Sequence, residues 1–426
     1  MSLSRTDLYE TLDRWIDQHF DEQVQFLQSL VRVPTDTPPG NNTPHALHTA
    51  QQLRDMGFEP ELFEVPAQQV HDAGLQSITN VVVRVPLDSP GKTLALNAHG
   101  DVVPPGDGWT HPPYAAEIEN GVLFGRAAAV SKSDFATFTY AVRALMALRQ
   151  SQDLHLAGQL ELHFTYDEEF GGLLGPGYLL EKGHTKPDWM IAAGFSYQVV
   201  TAHNGCLQME VTVHGKMAHA AIPHTGIDAL QGAVHIMNAL YASNARYRSI
   251  RSDVVGIEHP YLNIGTIEGG TNTNVIPGKV VFKLDRRMIP EEDASAVEAE
   301  VLATIRAAEH SFNAQRPDEG IRVDVKRMLL AHSMKPLPGH EALAQTLQKH
   351  GETLFGEPIP AVGTPLYTDV RLYGEHGIPG VIYGAGPRTV LESHAKRSDE
   401  RLVLDDLRRA TQVVARTLLD LTSPES

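Results

Sequence analysis

The stretch LNAHGDVVPPGDGW at residues 96–109 places His99 and Asp101 two residues apart, where the apolar run KTLAL ends. A strand alternates its faces, so these two side chains point the same way. They are read either as a polar strand end or as a metal-binding imidazole oriented by a neighbouring carboxylate. Two further stretches put metal-capable residues where a strand meets a loop: YDEEFGG at 166–172, after LELHF, and ESHAKRSDE at 392–400, after GVIYGAG. Adjacent acids such as Asp167, Glu168 and Glu169 repel one another unless a cation is near. Imidazole nitrogens and carboxylate oxygens together suit zinc, manganese or cobalt. One glutamate would bind the ion and the other would take a proton from metal-bound water.

The elements that must hold these residues follow from periodicity. Apolar residues near period four predict a helix over 5–32, broken by VPTDTPPGNN, and a second helix over 43–56 that ends at Gly57. ELFEV, TNVVVRV and TLALNAH read as strands, 133–150 as an apolar helix, and GQLELHFTYDEE as a strand entering an acidic turn. Alternating strands and helices predict an α/β layer architecture, whose ligand crevice lies at the carboxyl ends of the strands. The middle of the chain differs. LQMEVTVHG, GIDALQGAVHIMNALYA, LNIGTIEGG, KVVFKLDRRM, EEDASAVEAEVLATIRAAEHSF and IRVDVKRML run β-α-β-β-α-β, the ferredoxin-like order. The expected organisation is a catalytic domain over 1–205 and 331–426, with a domain inserted at 206–330. The helix at 340–355, GVIYGAG and the helix at 404–422 resume the first layer.

Length and charge narrow the function. A chain of 426 residues is too long for one ordinary core. The net charge of −17, from 52 acidic against 35 basic residues, disfavours nucleic acid and anionic membrane surfaces as partners. A single cysteine, Cys206, allows no intrachain disulfide. The first residues lack the basic and apolar regions of a signal peptide, and no apolar run is long enough to cross a membrane. A soluble cytoplasmic enzyme is expected.

The chain resembles the metallopeptidase and amidohydrolase family of succinyl-diaminopimelate desuccinylase, acetylornithine deacetylase, glutamate carboxypeptidase and the aminoacylases. The resemblance covers nearly the whole chain. It is carried by HGDVVPPGDGWTHPPY, GVLFGR, TYDEEFGG, VTVHGKMAHAAIPHTGIDAL, NTNVIPG, DRRMIP, YTDVRLYGEHGIPGVIYGAGP and the His394 segment. It implies a mixed-sheet catalytic domain with an inserted dimerisation domain, hence a homodimer. It also implies His99, Glu169 and His394 as metal ligands, Asp101 as the orienter of His99, and Glu168 as general base. His219 matches a residue that enters the partner's site and stabilises an oxyanion. Asn274 and Arg287 match positions that hold substrate polar groups or a carboxylate.

Two ligands implied by that resemblance are missing. In GRAAAVSKSD the metal-bridging aspartate falls on Val130, and in DWMIAAGFSYQ the second acid falls near Gly194, beside a phenylalanine. His99, Glu169 and His394 can hold one divalent ion. Asp134 is either a substitute ligand or a helix N-terminal acid. The expected protein is a metal-dependent hydrolase that cleaves an amide or related C–N bond of a small carboxylate-bearing substrate, with one ion per subunit. Its rivals are an enzyme of the same fold acting on an unusual non-peptide bond, and a catalytically silent binding protein.

Overall fold

The computed structural model describes residues 4–314, 316 and 319–424. The other residues of the three expected segments (1–3, 315, 317–318 and 425–426) lie outside the described ones. The chain divides into two compact units. The first comprises Met1–Thr201, Pro336–Val362 and Thr368–Ser426, and the second Ala202–Lys335 and Gly363–Tyr367.

The first unit is built on a mixed sheet. The Ser89–His99 strand is central and runs parallel to Ala157–Thr165 on one side and to Trp189–Ala192 on the other. Gly380–Ile382 extends the sheet in parallel beyond Trp189–Ala192, while Thr79–Pro86 and Pro60–Glu64 continue it antiparallel beyond Ala157–Thr165. Leu94, Leu96 and Ala98 are buried, as are the intervening Ala95 and Asn97, because both faces of this strand are covered. The Lys132–Gln152 and Leu404–Thr422 helices bury Phe135, Phe138, Leu145, Val414 and Leu418 in the same core.

The second unit carries a four-stranded antiparallel sheet. Its spatial order is Tyr261–Gly269, Lys279–Met288, Gly205–His214, Arg322–Ala331. Leu207, Met209, Val211 and Val213 alternate onto one face and pack with the Ala229–Tyr247 and Ala294–Asn313 helices. Asp228 and Asp293 cap these helices by accepting N–H groups of their first turns. The β-α-β-β-α-β order is thus realised as a ferredoxin-like sheet.

The structure corrects the sequence reading in two places. The single helix expected over 5–32 is two, Arg5–Gln18 and Phe20–Val31. The backbone leaves the helical region at His19, φ −110°, and the His19 ring stacks on Trp15 at 3.9 Å. A small sheet of Glu117–Glu119, Val122–Phe124 and Arg401–Val403 was not expected. Strands of three residues are too short to show a period.

Candidate active site

His99 is the last residue of its strand, and its backbone is tied across the sheet end. Its N–H donates to Ser131 Oγ at 3.0 Å, and that hydroxyl donates back to the His99 carbonyl at 3.1 Å. Gly100 follows because Tyr166 packs there: a Cβ at Gly100 would lie 2.3 Å from the Tyr166 ring. The Tyr166 hydroxyl is in turn held by His45 Nδ1 at 2.7 Å.

Asp101 is fully buried and has two tasks. Its carbonyl lies 3.0 Å from His99 Nδ1 and its Oδ1 3.5 Å away, so it fixes the ring and leaves Nε2 toward Glu168. Its carboxylate also receives the acidic turn. Oδ1 accepts from the N–H groups of Asp167 and Glu168 at 3.0 and 3.2 Å, and Oδ2 accepts from that of Glu169 at 3.0 Å. Burial works against the charge on Asp101, but His99 and these N–H donors outweigh it and hold the pKa below the ordinary value.

The result is a tight one-turn helix, Glu168–Phe170, with Glu168 Oε2 3.9 Å from His99 Nε2. Burial raises the Glu168 pKa, helped by Glu169 and opposed by His99. For His99, burial favours the neutral ring, yet Glu168 and Asp101 prevail and raise its pKa to about 10. Glu169 turns the other way and meets Lys396, with Nζ 2.5 Å from Oε2. The motif ESHAKRSDE contained this lysine, but a contact across 227 residues leaves no local trace.

The remaining expected residues are placed as follows. His394 adopts φ 52°, and its Nδ1 lies 3.1 Å from the Ser398 carbonyl. Val130 supplies no donor to an ion. Its N–H and that of Ala129 both point at Glu400 Oε1, and Glu400 is held by Arg126 at 2.7 Å in a buried pair. Asp134 spans two strand ends: Oδ2 accepts from the Gly194 N–H at 3.2 Å and Oδ1 from that of Ala385 at 2.8 Å. The neighbouring Gly384 is required there, since a Cβ would fall 2.3 Å from that carboxylate. Burial raises the Asp134 pKa to about 7 against the pull of the Ala385 N–H. In this geometry Asp134 serves as a tie between loops. In the second unit, Ala218–His219 pairs with Val275–Ile276, which sets His219 opposite Val275, and the next residue, Ala220, donates its N–H to the Asn274 carbonyl at 3.0 Å. Arg287 is engaged by Asp285 at 2.7 Å and lies over the Tyr367 ring.

Among the described residues, no three His, Cys, Asp or Glu side chains gather into a cluster that could hold a metal ion. The structure sets Asp101 and Glu168 beside His99, turns the Glu169 side chain to Lys396, and holds His394 on the Ser398 carbonyl. Val130 and Gly194 carry no carboxylate, and Asp134 is taken up by backbone N–H groups. Besides Lys396, sequence reasoning missed Ser131 and Glu400, which act through backbone geometry.

Residues 95–420 match the model of Peptidase family M20/M25/M40, and the chain belongs to that family. It is thereby a hydrolase of the metal-dependent peptidase type. Solved structures agree in fold. Human carnosine dipeptidase 1 superposes with a TM-score of 0.75 at 19% identity, covering 97% of this chain and 98% of that one. The dipeptidase Dug1p from Saccharomyces cerevisiae gives 0.78 at 16%, covering 99% and 100%. The Bacillus subtilis YXEP protein, described as a dinuclear metal-binding peptidase, gives 0.63 at 15%, covering 95% and 99%. Among the described residues, no helix is long and apolar enough to cross a membrane.

Proposed function

We propose that this protein hydrolyses an amide or related C–N bond in a small carboxylate-bearing molecule, with Glu168 as the general base. The observation that carries this reading is the turn clamped by Asp101, which sets the half-buried Glu168 carboxylate 3.9 Å from His99 Nε2. His99 and Glu169, with His394 brought in from its loop, would hold one zinc, manganese or cobalt ion, whose Lewis acidity makes water nucleophilic near neutral pH. Glu168 takes the proton from the attacking water and passes it to the departing nitrogen. Its burial keeps its proton affinity close to that task. Asp101 fixes both the ring and the turn, so neither must reorganise during the reaction. Asn274 and Arg287 hold the substrate's polar end, and His219 of the partner subunit steadies the oxyanion.

A homodimer through the second unit is part of this proposal. The Ala229–Tyr247 helix exposes Leu230, Val234 and Tyr241, and the edge strand Tyr261–Gly269 exposes Tyr261 and Ile267. An apolar helix face beside an open strand edge is the kind of surface a second copy covers. The buried, unpaired Cys206 and the acidic net charge suit a cytoplasmic setting. A panel of N-acyl amino acids and dipeptides, assayed after loading with each ion, tests the reading. Turnover of members of the panel that depends on both the ion and Glu168 supports it. Saturable binding with no turnover of any member favours the silent binding protein.

A further inference from the structure

We infer that Asp285 is a positioning residue for substrate: it holds Arg287 from the side, so that the guanidinium offers a ligand only its far edge. The inference rests on the reading above in which Arg287 takes the substrate's carboxylate. Arg287 Nε donates to Asp285 Oδ1 at 2.7 Å, and Nη2 to Oδ2 at 3.4 Å. Among the described residues, no hydrogen bond or ion pair reaches Nη1. The N–H groups of a guanidinium form a rigid planar fork, so a carboxylate along its side leaves the end, Nη1 with the outer hydrogen of Nη2, open to a second one.

The carboxylate that holds Arg287 is itself held. Asp285 Oδ2 also accepts from Gln208 Nε2 at 3.0 Å and from the Cys206 thiol at 3.3 Å. Burial and the Asp285 carboxylate push the Cys206 thiol up to about 12, so it stays an S–H donor. Strand register gathers these groups on one face: Asp285 lies opposite Gln208, and Arg287 opposite Cys206. Their strand, Lys279–Met288, is paired along both edges, which fixes the backbone under them. The Tyr367 ring, centred 5.5 Å from the guanidinium carbon, supports the charged plane. The open edge presents two parallel donors and no acceptor, which a planar carboxylate fills at both oxygens. Asp285 offsets the charge of Arg287, so this edge selects its ligand by geometry more than by long-range attraction. A lysine at the same place would be a point charge, which Asp285 would keep for itself.

The test is isothermal titration of the full chain with levulinate, a keto acid that has no C–N bond to hydrolyse, and with its methyl ester. Wild type, Asp285→Asn, Arg287→Lys and Arg287→Ala are compared. Wild type should prefer the acid to the ester by about tenfold or more. Asp285→Asn should weaken the acid about tenfold and leave the ester unchanged, even though it removes a negative charge beside the ligand. General damage to the fold would lower both. Arg287→Lys should lose as much acid binding as Arg287→Ala. Acid binding by Asp285→Asn equal to or tighter than wild type overturns the positioning role alone. If Asp285→Asn does not fold, Gln208→Leu takes one donor from the same carboxylate and leaves both charges in place. It should weaken the acid about threefold, and unchanged binding there overturns the positioning role. No saturable binding of the acid by wild type, or undiminished binding by Arg287→Ala, overturns the reading of Arg287 and the positioning role with it.

Discussion

Asp101 Oδ2 accepts the backbone N–H of Glu169 at 3.0 Å, so the carboxylate beside His99 also sets the course of the acidic turn. Removing it should do more than loosen an imidazole. Asp101→Ala strands one buried and two half-buried N–H donors, at a cost of roughly 1–3 kcal/mol for each that water does not reach. The expected variant melts several degrees lower and loses turnover. Asp101→Asn, which keeps one acceptor oxygen, should recover part of the stability. Thermal melts of both variants check this.

Glu168→Gln preserves size and hydrogen bonding while deleting the base. Ion content should hold, and kcat should fall by roughly 10²–10⁴, the usual contribution of general-base catalysis. Near-normal kcat on a confirmed substrate would reassign the base.

Asp134 distinguishes a tie from a ligand. If it holds the Gly194 and Ala385 loops, Asp134→Ala should lower stability by about 2–4 kcal/mol in a denaturant titration, through loss of a buried network. The stoichiometry of tightly bound ion, measured by elemental analysis, should stay at one per chain. A second tight ion lost only in this variant would make Asp134 a ligand.

Glu161 gives the acid limb of stability. Burial opposes its charge, but His163, Thr185 and Arg84 outweigh that and lower its pKa from 4.5 to about 2. A carboxylate depressed on folding stabilises fully above its unfolded pKa. That stability is lost as pH falls from about 4.5 to about 2. The shift corresponds to about 3 kcal/mol. Glu161→Gln should therefore be markedly less stable at pH 7, and its stability should depend less on pH below 4.5 than the wild type's. Chemical unfolding at a series of pH values measures both.

Subunit complementation tests His219. A His219→Ala chain mixed with a Glu168→Gln chain gives heterodimers in which one site carries both changes and the other neither, if His219 acts across the interface. Activity should reappear in the mixture of inactive parents. Subunit exchange without recovery, or full activity in a strict monomer, would end the role in trans.

The order of elements and the residues around His99 were legible because period and strand-end placement are local properties. HGD and YDEE each sit where a strand must stop, and parallel pairing of Ser89–His99 with Ala157–Thr165 then brings them side by side. The twin role of Asp101 was half legible: its spacing from His99 predicts the ring contact, whereas its bonds to residues 167–169 depend on sheet register. Lys396 and Glu400 were not legible as site residues. Each works through a partner more than 200 residues away, and nothing in ESHAKRSDE distinguishes an inward lysine from a solvated one. The break at His19 was hidden because the apolar period continues through it.

Glu400 receives the N–H groups of Ala129 and Val130 across about 270 residues of chain. During synthesis, the loop beside His99 therefore waits for residue 400 before these two amides meet their acceptor. A nascent chain that already holds His99, Asp101 and the acidic turn still lacks the carboxylate that shapes residues 129–130, and the lysine that balances Glu169. Long-range contacts of this kind form late in folding, because loop closure must be paid before they form. A translation product cut short before residue 400 lacks the acceptor of those two amides, however well its first sheet has formed.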